Sequence, residues 1–411
     1  MSRLSINILS LIAVQLITYL SPIIALPYLS RILNIESFGL VMLLMSVIVI
    51  SSLLTDFGFN LYSPAWIANN KNNTNKINIH VSSIFILKII LFLLTSIGLI
   101  TYFTVTNTIH ENKVILCSVT LLAILSQNFQ IMWFFQGIEK MSNITYLTLL
   151  SKLSYVIFVI FFVKDSNDVL QAILSYVFSN FIATTIGLLL YIKLGYRILT
   201  PKLIDIINII RYSFQFFLSR AAASIYTSAS TLIIGSHAGL TQAALYSSAE
   251  KLYQAGQSIS FPISQALYPY LARTKNISTF YRFILVLIPP LIISISIIYY
   301  FSYEIIIVFY GQDYSLAIDI FRIFLLTTII NFIAVNFGYP AFSIIDRLDI
   351  ANNSVIIAAT IQLAMLFILY FMDHITAINI AISVLITEGI VMVIRVVTFI
   401  YMSKKVFREF K

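Results

Sequence analysis

The chain has 411 residues, of which 60% are hydrophobic and only 10% charged, with a formal net charge of +9. A soluble domain of this size carries about 25% charged residues, so the composition excludes a soluble globular enzyme and points to a polytopic integral membrane protein. Apolar stretches of about 20 residues fit spanning helices rather than barrel strands, which run to about 10 alternating residues.

Hydropathy predicts an all-α integral membrane fold of about twelve transmembrane helices. In chain order they fall near residues 5–30, 37–63, 81–103, 113–137, 143–163, 168–192, 209–236, 241–270, 281–301, 315–341, 352–371 and 376–402. The first stretch is too long for a signal-peptide core and lacks a small-residue cleavage site, so it is read as a span. With the N-terminus inside, one side collects Arg3, Lys71, Lys76, Lys140, Lys193, Arg197, Lys202, Arg273, Lys275, Arg347, Lys404, Lys405, Arg408 and Lys411. The other collects only Arg31, Lys113 and Lys164. The positive-inside rule then places both termini in the cytoplasm.

The polar stretch 69–78 (NNKNNTNKIN) reads as a solvated connector. The segment 193–208, which contains Pro201, is the expected linker between a six-helix bundle at 1–192 and a second at 209–402, followed by a cytoplasmic tail at 403–411. The short turns 31–40 and 236–245 lie about half a chain apart, as in a repeat. Six spans per half would relate the bundles by a pseudo-two-fold axis along the membrane normal, with a cavity between them. Prolines at 22, 27, 262, 269, 289 and 290 interrupt spans one, eight and nine, and each removes a backbone donor.

Several chemistries are missing. Cys117 is the lone cysteine, so no intramolecular disulfide forms. His80, His110, His237 and His374 have no metal-ligand spacing, so no metal is expected. There is no GxxxxGK[ST] phosphate loop and no cofactor is expected. The positive charge points to cytoplasmic loops and anionic lipid rather than nucleic acid.

What remains is charge inside the membrane. Arg220 sits near the centre of 209–236, where a lipid-facing charge costs about 3 kcal/mol. Ser224, Thr227, Ser228 and Thr231 share its helical face, giving that helix a wet side. The intramembrane cations are Lys88, Lys152, Arg211, Arg220, Lys251, Arg282, Arg322 and Arg395, against the acids Asp56, Glu250, Asp319 and Glu388. Buried ions normally pair, so a cation excess asks for an anion from elsewhere.

Arg211 and Arg282 lie near span ends and read as snorkelling anchors, a reading also open to Arg395. Arg322 follows Asp319 by one turn and pairs with it locally. Lys152 and Arg220 are nearest mid-depth; for Arg220 a functional cavity is favoured over a structural ion pair. Glu250 is a candidate to neutralise Lys251. Asp56, Glu250 and Glu388 have two readings, ion coupling or neutralisation of the cations, with the structural one favoured for Glu388. Trp66, Trp133, Phe134 and Phe135 read as interface anchors. For the deeper Tyr226, Tyr246 and Tyr253, packing and sugar stacking both stay open.

Specific motifs add to this. Leu26-Pro-Tyr-Leu-Ser-Arg31, Glu36-Ser-Phe-Gly-Leu40, Thr55-Asp-Phe-Gly-Phe-Asn60 and Ala65-Trp-Ile-Ala68 resemble the first two spans of the O-antigen flippases. Trp133-Phe-Phe-Gln-Gly-Ile-Glu-Lys140 resembles their fourth-span ending. Leu245-Tyr-Ser-Ser-Ala-Glu-Lys-Leu252 and Tyr268-Pro-Tyr-Leu-Ala-Arg273 resemble their eighth span. One departure is that Ala243 and Ala244 stand where a glycine is expected.

The resemblance implies the two-bundle fold of the multidrug/oligosaccharidyl-lipid/polysaccharide exporter superfamily, in a bacterial inner membrane. It implies a transporter, not an enzyme, whose substrate is an undecaprenyl-pyrophosphate-linked sugar repeat unit moved from the cytoplasmic to the periplasmic leaflet. Membrane lipids, a polysaccharide polymerase and a chain-length regulator are the implied partners.

A lipid pyrophosphate needs a wet, cationic cavity for its head. The candidates to line it are Arg220, Lys152, Lys251 and Lys88, with Arg322 and Arg31 beside them. Asp56, Glu250 and Glu388 are the candidates for ion coupling. The alternatives are a cation-coupled multidrug exporter of the same fold, or an exporter of another lipid-linked cell-wall or capsule precursor. An acid-rich cavity would favour the drug exporter. A membrane glycosyltransferase would need catalytic groups and a large outer loop, and a passive scaffold would need no midplane cations.

Overall fold

The computed structural model describes the backbone of residues 3–409 except 107, 110 and 111. The side chains of 3–13, 16, 19, 219, 222–228, 258–263, 266 and 404–409 lie outside the described set. That set excludes Ser224, Tyr226, Thr227 and Ser228 of the expected wet face, together with Pro262 and the basic tail residues Lys404, Lys405 and Arg408.

The chain forms two compact units, Met1–Ser224 and Ile225–Lys411. The boundary falls inside a helix, downstream of the expected linker at 193–208. The first unit contains α1 (Arg3–Ile32), α2 (Ile35–Asp56), α3 (Phe59–Asn69), α4 (Thr74–Val105), α5 (Lys113–Asn128), α6 (Met132–Gly137), α7 (Met141–Phe162), α8 (Val169–Lys193) and the first part of α9 (Leu203–His237). The second contains the rest of α9, then α10 (Leu240–Thr274), α11 (Ile277–Tyr300), α12 (Ser302–Tyr310), α13 (Ala317–Asn336), α14 (Tyr339–Ile344), α15 (Leu348–Phe371) and α16 (Ala377–Glu409). Among the described residues, nine helices are long and apolar enough to cross a membrane. Their outward faces carry bare Leu94, Ile97 and Phe367, which suits hydrocarbon and not water.

Helix starts follow local chemistry. Asn34, Asn73 and Asn276 each accept the backbone N–H three residues on, at 2.8, 3.0 and 3.0 Å, satisfying one of the orphan donors at the starts of α2, α4 and α11. Three expected spans are broken. The second splits at Phe57 and Gly58, both left-handed with φ of 44° and 81°. The fourth splits after Asn128, and the tenth after Asn336. Helix α12 was not expected; it fills part of the loop between spans nine and ten.

The breaks expose the repeat better than the turns 31–40 and 236–245 do. Helix α6 and helix α14 have six residues each and begin at Met132 and Tyr339, which are 207 positions apart. Phe135, Ile138, Glu139 and Lys140 have Phe342, Ile345, Asp346 and Arg347 at the same offset. The packing agrees, since α5 meets α8 and α3 meets α6 in the first unit, as α13 meets α16 and α10 meets α14 in the second.

Each unit has its own core around this feature. Phe59, Ile67, Trp133, Phe134, Phe135 and Tyr191 pack in the first, and Leu271, Phe280, Phe337, Phe342 and Phe399 in the second. Trp133, Phe134 and Phe135 are at most 2% exposed, so they are core residues and not interface anchors. The short helix α6 turns their apolar faces inward onto α3 and α7.

Candidate functional site

In the first unit, the break between α2 and α3 builds the site. Glycine is required at position 58 twice over. Its φ of 81° is left-handed, and an added Cβ would meet Ser213 O at 2.7 Å and Phe217 N at 2.8 Å. The backbone of α9 therefore lies directly on the break. Phe57 stacks on Phe217 with centroids 4.7 Å apart, and Tyr62 on Tyr212 at 5.8 Å. This docking brings Arg220 Nη1 to within 2.8 Å of Asp56 Oδ2. The carboxylate is nearly buried while the guanidinium side chain is 39% exposed. The backbone N–H groups of Gly58 and Asn60, at the positive end of α3, also act on it.

Lys88 is the second cation of this group. It is 3% exposed, donates to the Asn128 carbonyl, and acts on Asp56 through space. Asn128 Nδ2 returns a bond to the Lys88 carbonyl at 3.2 Å. Lys88 thus sits at the C-terminus of α5, where the break leaves carbonyls unpaired and the helix dipole favours a cation. Arg220 pairs with the carboxylate directly, and Lys88 acts on it from beyond ion-pair distance.

The other unit solves its break similarly from a different helix. Arg395 Nη1 donates to Ala334 O at 2.7 Å and its Nε to Ser354 Oγ at 2.8 Å. It is 8% exposed. Arg395 is therefore not a snorkelling anchor: it is drawn inward by the carbonyl end of α13.

Of the remaining sequence-selected cations, Arg31 and Lys152 belong to the first unit, and Lys251 and Arg322 to the second. Arg31 lies exposed in the last turn of α1. Lys152 is half-buried on α7 facing α1, where Ser21 donates to its carbonyl at 3.4 Å. Lys251 donates to Gln254 at 3.1 Å. Arg322 donates to Ser302 at 3.0 Å, lies 3.6 Å from Asp319 and sits 5.2 Å over the Tyr299 ring.

The acids of the second unit come together. Glu250 and Glu388 line one cavity of about 50 Å³ with Tyr246, Tyr253, Gln257 and Phe324. Thr231 donates to Glu250 at 3.3 Å, and Asn331 to Glu388 at 2.8 Å. Tyr253 stacks on Phe324 at 4.8 Å, and Tyr246 is 1% exposed. Both rings are packed against the core and also line the cavity.

Charge counting also missed a neutral polar network. In the first unit Gln127 accepts from Ser52 at 3.1 Å and Tyr176 at 2.8 Å, and Asn180 accepts from Gln130 at 2.8 Å and Ser151 at 3.3 Å. Gln and Asn inside apolar spans were the available signal.

Two units of long apolar helices, with charged groups held inside each, define a polytopic membrane-protein fold. Among solved structures the fold resembles that of a lipid II flippase in an inward closed conformation, with a TM-score of 0.71, 12% identity, and 96% and 87% of the two chains covered. It also resembles a multidrug/oligosaccharidyl-lipid/polysaccharide superfamily transporter from Pyrococcus furiosus, with a TM-score of 0.57, 14% identity, and 100% and 96% covered.

The chain belongs to the polysaccharide biosynthesis protein family, whose model matches residues 4–275. It is 30% identical over 271 residues to a Shigella dysenteriae protein named for O-antigen transport, a span covering 66% of this chain and 68% of the relative. It is 26% identical over 269 residues to an Escherichia coli protein of the same description, covering 65% of each.

Proposed function

We propose that this chain is a flippase for lipid-linked oligosaccharide, carrying undecaprenyl-pyrophosphate-linked O-antigen or similar repeat units from the cytoplasmic to the periplasmic leaflet of a bacterial inner membrane. The observation that carries the reading is the 30% identity to a relative named for O-antigen transport. The chemistry of the first unit supports it. Asp56 holds Arg220 in place, yet the guanidinium is open enough for an anion to reach. A pyrophosphate displaces or joins the carboxylate on Arg220, while Lys88 and the amides of Gly58 and Asn60 stay beside Asp56. The sugar stays in water and the polyprenyl tail in lipid, and alternating access by the two bundles completes transfer. Both termini lie in the cytoplasm on this reading, and a polymerase with its chain-length regulator consumes the product outside.

Complementation tests this. A strain lacking its own flippase is supplied with this chain and a series of glycan pathways, and surface polysaccharide is measured. Rescue by at least one pathway is expected. Failure with every pathway, the protein being present in the membrane, would overturn the proposal.

One observation favours a second reading. Glu250 and Glu388 share a cavity, as a cation-coupled exporter of small cationic drugs would require. Drug resistance conferred on a sensitised host, without polysaccharide rescue, would select it.

A further inference from the structure

Each unit carries an ion pair between two of its loops, and the pairs occupy matching places. In the first, Lys71 Nζ lies 2.6 Å from Glu139 Oε1. In the second, Lys275 Nζ lies 2.5 Å from Asp346 Oδ1 and 2.6 Å from the Ser343 carbonyl. The lysines precede the asparagine caps of α4 and α11. The acids lie just beyond α6 and α14, at the 207-residue offset that relates those helices.

The backbone beneath the acids also repeats. Lys140 N donates to Phe135 O at 2.9 Å and Arg347 N to Phe342 O at 3.0 Å, closing the same wide turn. In both turns the acid adopts a left-handed conformation, with φ of 59° at Glu139 and 55° at Asp346. A helix end of this kind ordinarily takes glycine, which enters that region without strain. Both halves place a carboxylate there instead, and in both it meets a lysine from the neighbouring loop. A residue serving only to turn the chain would not need its charge, and two unrelated turns would not both find a lysine.

We propose that Lys71–Glu139 and Lys275–Asp346 are twin clamps, each tying the loop after its unit's second span to the turn after its fourth, so that these ends of the bundle move as one body during transport. The clamps act within each unit. They hold the approach of α3 to α6 and of α10 to α14, next to the breaks where Lys88 and Arg395 cap the preceding helices. This role in transport rests on the flippase reading, whereas the clamps themselves do not.

Two measurements separate these. The first is amide hydrogen exchange of the purified full chain at residues 70–78, 138–143, 274–279 and 345–350. Glu139→Gly relieves the left-handed backbone while removing the carboxylate, and Asp346→Gly does the same in the second unit. Exposed ion pairs are weak, so about fivefold faster exchange is expected in both partner segments, confined to the unit mutated. The swap Lys71→Glu with Glu139→Lys should return protection towards wild type. The second measurement is polysaccharide rescue, in which the double variant Glu139→Gly with Asp346→Gly should lose at least tenfold while each single variant loses less.

Unchanged exchange in both glycine variants, or faster exchange not corrected by the swap, would show that the acids merely fill the turns. Changed exchange with full rescue by the double variant would remove the clamps from transport. Wild-type failure in rescue, with the exchange effects intact, would strike the flippase reading and leave the clamps standing.

Discussion

Arg220 reaches Asp56 across 164 residues of sequence, its Nη1 donating to Oδ2 at 2.8 Å. The two residues meet because Gly58 lets α9 lie on the break that Asp56 precedes. If the guanidinium also serves a substrate anion, its charge and its reach both matter. Arg220→Ala is expected to abolish transport and Arg220→Lys to retain part of it, because an ammonium keeps the charge but loses the fork geometry. The exchanged pair, Asp56→Arg with Arg220→Asp, separates the roles: it should restore folding yet not transport. Recovery of transport in the exchanged pair would make this an internal ion pair and no ligand site.

Gly58 admits almost no substitution. Gly58→Ala has to place a Cβ 2.7 Å from Ser213 O and 2.8 Å from Phe217 N. The backbone of α9 cannot yield as a flexible side chain would. Overpacking of this kind costs about 1–3 kcal/mol, and the left-handed backbone adds about 1–2 kcal/mol. We expect a clear fall in detergent melting temperature and loss of the Asp56–Arg220 pair. Gly98→Ala, where an added Cβ meets nothing within 4 Å, is the control and should melt as wild type.

Lys88 and Arg395 are expected to behave alike although they come from non-equivalent helices. Each bonds carbonyls at the end of a broken span. Removing the donor leaves a buried carbonyl unpaired, at about 1–3 kcal/mol. Lys88→Met and Arg395→Met should each lower the melting temperature. Lys88→Arg should lose part of the stability, since a bulkier head must enter a site only 3% exposed. Transport should fall further in Lys88→Met than in Arg395→Met, because Lys88 alone of the two also supports Asp56. Equal transport in the two variants, at equal membrane levels, would limit Lys88 to its capping role.

These residues mark what could be read in advance. The class and the helical architecture follow from long apolar runs, since a bilayer leaves a backbone few options. Arg220 and Lys88 stand out in the sequence as candidates for one cavity, but their convergence on Asp56 does not, because nothing local in α2, α4 and α9 says that the three meet. Arg395 shows the opposite limit. Its distance from the helix end suggested snorkelling, and the break at Phe337–Gly338 that draws it inward leaves only a lone Gly-Tyr-Pro as a local trace. The turns 31–40 and 236–245 suggest a repeat, but it is carried by Phe135–Lys140 and Phe342–Arg347, whose shared geometry outweighs their modest identity.

Glu250 and Glu388 give the last test. They line one cavity in the second unit and each accepts a side-chain bond, from Thr231 and Asn331 respectively. Two intramembrane carboxylates that line one cavity can together take up a proton or a cation. If that uptake drives transport, Glu388→Gln should keep the bond from Asn331 and the fold, yet lose the part of transport that an imposed ion gradient accelerates. Glu250→Gln should act similarly, and the double variant should be no worse than the stronger single one, since the two groups act as a unit. The assay is arrival of a lipid-linked oligosaccharide in the outer leaflet of proteoliposomes, with and without proton or sodium gradients. Gradient-driven acceleration that survives in both glutamine variants would assign coupling elsewhere, and Asp56→Asn would then be the variant to measure.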